Sequence, residues 1–133
     1  MNYNWNWAVL VSDPYLMWIV QGFGWTLKVS LLAWVIAFTL GSLLGIMRTA
    51  TAAWLRWIAT VYVEIFRNIP LLVHFFLWYF IFPEILPHEA GMWVKREMPL
   101  PEFTTAVVAL GLYTASRVCE QVRAGIEAVG TGQ

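Results

Sequence analysis

The sequence predicts an all-α membrane protein with three transmembrane helices, and three observations carry that prediction. From Val29 to Met47 no side chain is charged. A helix from Thr26 to Met47 would rise about 33 Å, enough to cross a hydrocarbon layer of roughly 30 Å. Hydrophobic residues make up 60% of the 133 residues, far above a soluble domain of this size. Two further apolar segments follow, and both contain charges that a lipid-facing helix would not carry.

The spans are placed at about 25–47, 57–82 and 103–123, forming one transmembrane domain over 25–133. The preceding 1–24 reads as an external, interfacial segment. It has no basic stretch and no small-residue cleavage site, so it does not read as a signal peptide. Trp25, Trp54, Trp57 and Trp93 fall near segment ends, where indoles favour the headgroup layer. Trp34 and Trp78 fall inside apolar runs and are read as packing residues. Arg48 and Arg56 flank the first connection and Arg123 follows the third span, which predicts a cytoplasmic first turn and C-terminus. The loop with Pro83, Pro87, Pro99 and Pro101 is then external, although Lys95 and Arg96 oppose this assignment.

Ala33, Ala37, Gly41 and Gly45 recur every fourth residue, and Gly111, Ala115 and Cys119 repeat the pattern on the third span. Small stripes of this kind let membrane helices approach closely, and packing is the simplest role for them. Cys119 is accordingly read as a small packing residue. With one cysteine, neither a disulfide nor a cysteine metal site is available. His74 and His88 are separated from each other and from other ligands, so no metal or cofactor is expected. Zero formal net charge argues against a nucleic-acid partner.

The polar residues inside the spans are the candidates for function. Glu64 and Arg67 share a helix face, and their pairing is one reading of both. Pro70 cannot donate to the carbonyl of Phe66 and disfavours helix at Ile69, so a kink or break is expected around Asn68. Broken backbone at membrane depth is tolerated where protein or a water-filled cavity satisfies it. Arg117, Glu120 and Arg123 form a ridge at spacing three, with Arg123 and Glu127 at the interface. Arg117 either pairs with Glu120 or faces an aqueous path, where its fork matches a carboxylate. Arg117, Glu120, Arg67, Asn68 and Thr114 are therefore the candidate path residues. There is no GxxxxGK[ST] phosphate loop and no nucleophile–base pair, so no catalytic site is expected.

Two segments carry a resemblance. YVEIFRNIPLLVHFF (Tyr62 to Phe76) and ALGLYTASRVCEQVRAGIEAVGTGQ (Ala109 to Gln133) resemble the membrane subunits of bacterial ABC importers for polar amino acids. SRVCEQVR and PEILPHEAGMW are most similar to the glutamate/aspartate members of that family. The resemblance implies a cytoplasmic ATPase dimer, a second permease-type subunit, a periplasmic binding protein and an inner-membrane location. ATP hydrolysis would belong to the separate ATPase. It also implies that Arg117, where many relatives carry an uncharged residue, bears on an anionic substrate. In the family a Gly-Gln precedes a coupling segment and further spans, so 1–133 reads as an N-terminal portion. A small helical membrane protein that joins a larger complex without transporting is the alternative, and a membrane enzyme is a more distant one.

Overall fold

A computed structural model describes residues 5–131. Among them the structure is helical throughout, without strands. The Gly-Gln at 132–133, singled out by the resemblance, lies outside the described residues. A short 3-10 turn (Trp7–Val11) leads into α1 (Tyr15–Thr49), followed by α2 (Ala53–Asn68). Then come α3 (Leu71–Phe76), a π-helical turn (Leu77–Ile81), α4 (Phe82–Ile85), α5 (His88–Arg96) and α6 (Pro101–Thr131).

The first helix starts at Tyr15, ten residues before the expected span, so 15–24 is continuous with it. No proline or polar run interrupts the chain between Pro14 and Thr49. Gly22 and Gly24 each weaken a helix by only about 1 kcal/mol, too little to stop one this long. The third helix likewise runs past both ends of 103–123, from Pro101, which as first residue needs no N–H, through the charged ridge.

Three spans are expected from the sequence, the second with a kink or break around Asn68. By length and composition, α1 is the one described helix long and apolar enough to cross a bilayer. The second expected span is broken at the predicted place into two pieces, Ala53–Asn68 and Leu71–Ile85, bent by 102°. Ile69 is extended (φ −99°, ψ 127°), as is Pro70 (φ −57°, ψ 144°), because a helical Ile69 would collide with the proline ring. Arg117, Glu120 and Arg123 lower the apolarity of α6.

The core is built on backbone proximity between α1 and α6. Ala33, Ala37, Gly41 and Gly45 of α1 are buried, as are Gly111, Ala115 and Cys119 of α6. A Cβ on Gly41 would lie 2.6 Å from Val118 Cβ and 2.7 Å from the Ala115 carbonyl oxygen. One on Gly45 would lie 2.7 Å from Val122 Cβ, and one on Gly111 would lie 2.9 Å from Ile36 Cβ. Each stripe thus receives the larger side chains of the other helix. Below this seam Leu44, Ala59, Val63 and Cys119 form a buried cluster joining α1, α2 and α6, covered by Leu40, Met47 and Tyr62. Trp34 is not a packing residue as expected: it is 61% exposed and stacks on Phe38 one turn along.

Candidate functional site: an arginine-rich depression

The charged residues of three helices converge on Glu120. Its carboxylate accepts from the Arg48 guanidinium, at the last turn of α1, although the two are 72 positions apart. It also accepts from Arg123 Nε at 3.2 Å and Nη2 at 3.1 Å, one turn along α6. Arg67, at the end of α2, brings Nη1 to 3.9 Å from the same carboxylate. Arg123 reaches onward to Glu127 at 2.6 and 2.7 Å. Removing two charges from water is offset only when such hydrogen bonds are made, and Arg48 and Glu120 are both mostly shielded.

Two pairings that spacing offers as one reading do not form. Arg67 does not pair with Glu64, which accepts instead from Asn68 Nδ2 at 3.2 Å, one turn along. The end of α2 is turned toward α6, and its guanidinium follows. Arg117 does not pair with Glu120, whose oxygens are already engaged by Arg48 and Arg123. Its Nη2 donates to the Tyr113 hydroxyl at 2.9 Å, and its guanidinium carbon sits 5.4 Å from the Tyr113 ring centre. Arg117 itself is exposed.

Arg67, Arg117, Glu120, Gln121, Arg123 and Ala124 line an open depression of about 410 Å³. Three guanidiniums face it against one carboxylate, so its character is positive. Arg67, Arg117 and Glu120 of the expected path residues are brought together here; Asn68 and Thr114 do not line it. Sequence reading gave Arg48 and Arg123 only a role at the interface, and did not pick out Tyr113. A signal for Arg123 was present in its spacing of three from Glu120, but Arg48 carried none. Among the described residues no three His, Cys, Asp or Glu side chains are grouped to hold a metal ion.

The helix break stands beside this depression. His74 of α3 is buried against Phe66 of α2 and Tyr113 of α6, with ring centres 4.9 and 5.6 Å away. Tyr62 stacks on Phe66 at 4.5 Å and donates its hydroxyl to the Leu112 carbonyl at 2.7 Å. Four rings therefore tie the two sides of the break to α6.

No family model matches the chain. The glutamate/aspartate import permease protein GltJ of Escherichia coli K12 is 45% identical over all of this chain and 57% of its own length. The glutamate/aspartate import permease protein GltK of Escherichia coli O6:H1 is 34% identical over 98% of this chain and 56% of its own length. A probable glutamine ABC transporter permease protein of Bacillus subtilis, GlnM, is 37% identical over 93% of this chain and 52% of its own. The chain thus spans a little over half the length of the curated relatives it matches. The crystal structure of an amino acid ABC transporter with histidines superposes with a TM-score of 0.76 at 28% identity, covering 98% of this chain and 55% of that one. By sequence along its whole length and by fold, the chain belongs to the permease subunits of amino-acid ABC transporters.

Proposed function

We propose that this chain forms part of the translocation path of an ATP-driven importer for glutamate and aspartate. The observation that carries this reading is the 45% identity to GltJ along the full chain. The arginine-rich depression supports it: an acidic amino acid brings one more carboxylate than a neutral one, and a guanidinium holds a carboxylate by two parallel hydrogen bonds. Arg117 is the donor with a partner easiest to replace, because its bond to a neutral phenol is weaker than one to a carboxylate. Arg67 is next, since 3.9 Å from Glu120 is a loose ion pair. Glu120 keeps the cluster from collapsing by repulsion.

The partners follow from the same reading: a cytoplasmic ATPase dimer, a second permease-type subunit and a periplasmic amino-acid-binding protein. The permease supplies the path and the ATPase supplies the energy. The test is uptake of radiolabelled glutamate into proteoliposomes holding the complete transporter, its binding protein and internal ATP. Saturable, ATP-dependent glutamate uptake, competed by excess aspartate and not by glutamine, is expected. Uptake competed by glutamine and not by aspartate would overturn the substrate; no ATP dependence would overturn the coupling.

The same reading puts the chain in the inner membrane as a multi-pass protein, and the basic-residue bias supports an inside Arg48–Arg56 turn and an outside Pro83–Glu102 segment. Single cysteines at Ala53 and Ala90, in a background lacking Cys119, test this with a membrane-impermeant thiol reagent. Labelling at 90 in intact cells, and at 53 only after lysis, is expected. The reverse pattern would invert the topology.

A further inference from the structure

The helix break has an unusual repair. In a continuous helix the N–H of Pro70 would bond to the carbonyl of Phe66, and proline has no N–H to give. His74 Nε2 lies 3.3 Å from that carbonyl oxygen. A carbonyl only accepts, so Nε2 carries the hydrogen and the imidazole takes the place of the missing backbone donor. The backbone of His74 is tied to the same corner, since its N–H donates to the Pro70 carbonyl at 3.2 Å. The imidazole is 3% exposed, and its ring lies within 4° of parallel to Phe66. Its other neighbour is Tyr113, whose hydroxyl receives Arg117.

We infer that His74 is a positioning residue: by closing the Phe66 carbonyl across the break and packing against Tyr113, it sets where Arg67 and Arg117 stand around the depression. The two arginines sit on different helices, and His74 touches the frame of both. Phe66 immediately precedes Arg67, so rotation of that carbonyl swings Arg67 with it. Tyr113 anchors Arg117, so a shift of that ring moves Arg117. The inference takes the depression to be the substrate path, as proposed above, but the geometry of the break can be measured without it.

Two reciprocal substitutions separate the hydrogen bond from the ring. His74→Gln keeps an N–H donor four bonds from Cα, as in histidine Nε2, and removes the ring. His74→Phe keeps a ring to stack and removes the donor. In the complete transporter, glutamate uptake normalised to assembled complex is expected to show a KM raised about threefold for His74→Gln, which keeps the donor to Phe66 but no longer packs against Tyr113. For His74→Phe the KM is expected to rise about tenfold while assembly is preserved. Spin labels at Ile65 and Leu72, on either side of Pro70, give the independent readout in a background lacking Cys119. A single narrow distance is expected for the parent and for His74→Gln, and a broadened one for His74→Phe. A narrow, unshifted distance in His74→Phe would overturn the inference, as would a normal KM in that variant with a raised one in His74→Gln. Absence of glutamate uptake in the unsubstituted transporter would overturn the importer reading instead, and the distance measurement would then decide the role of His74 alone.

Discussion

Replacing Gly41 by leucine is expected to separate α1 from α6 and to remove most of the assembled protein from the membrane. At Gly41 even a first side-chain carbon would sit 2.6 Å from Val118 Cβ and 2.7 Å from the backbone oxygen of Ala115. A flexible side-chain tip could yield to such an intrusion; a helix backbone cannot. Overpacking typically costs about 1–3 kcal/mol, or roughly five- to hundredfold in a folding equilibrium. Two α-helices joined through a continuous small-residue seam have little else to compensate, because lipid offers no hydrophobic drive between them. The measurement is the folded fraction in a mixed-micelle denaturation series. Gly22→Leu is the control, since nothing lies within 4 Å of a Cβ there, and it should behave as the parent. Adding Val118→Ala to Gly41→Leu should restore part of the loss, because it clears the side-chain contact and leaves the Ala115 oxygen. Equal stability of the Gly41 and Gly22 variants would refute the seam as the main junction.

Arg117→Ala is expected to lower uptake of glutamate and aspartate by ten- to hundredfold while leaving assembly intact. The loss of a charge-assisted hydrogen bond, about 1.5–3 kcal/mol, sets that range. Assembly should survive because the partner left behind is the Tyr113 hydroxyl, which is neutral, and Glu120 keeps Arg48 and Arg123. Lysine at 117 should recover little, since a point charge does not reproduce the two-pronged geometry. Neutralising Glu120 together with Arg117 should not restore uptake, because the two are not partners. Uptake per assembled complex, measured in both single variants and the double, checks this. Full recovery in the double variant would make Arg117 a structural residue.

The sequence by itself determined the features that depend on neighbours along the chain. The uncharged run from Val29 to Met47 requires a long apolar helix. The four-residue recurrence of Ala33, Ala37, Gly41 and Gly45 requires a narrow face wherever that helix runs. Pro70 removes one donor and one helical conformation, and the helix ends at Asn68. All of these follow from local sterics and the 3.6-residue period. Helix ends were less legible, since α1 continues back to Tyr15 through two glycines that cost too little to stop it.

The tertiary structure alone decided which faces meet. Periodicity states which residues share a face, but not which helix lies opposite. Spacing therefore offered Glu64 for Arg67 and Glu120 for Arg117, the partners available within one helix. The packing of α1, α2 and α6 instead delivers Arg48 and Arg67 to Glu120 from two other helices, and leaves Arg117 to a tyrosine. For the same reason His74, isolated in sequence from every metal ligand, meets a carbonyl eight residues back across a bend. A charge satisfied from another helix costs no strain in its own, so no local pattern records the pairing. Only the approach of the backbones, set by small residues far apart in the chain, brings those groups within reach.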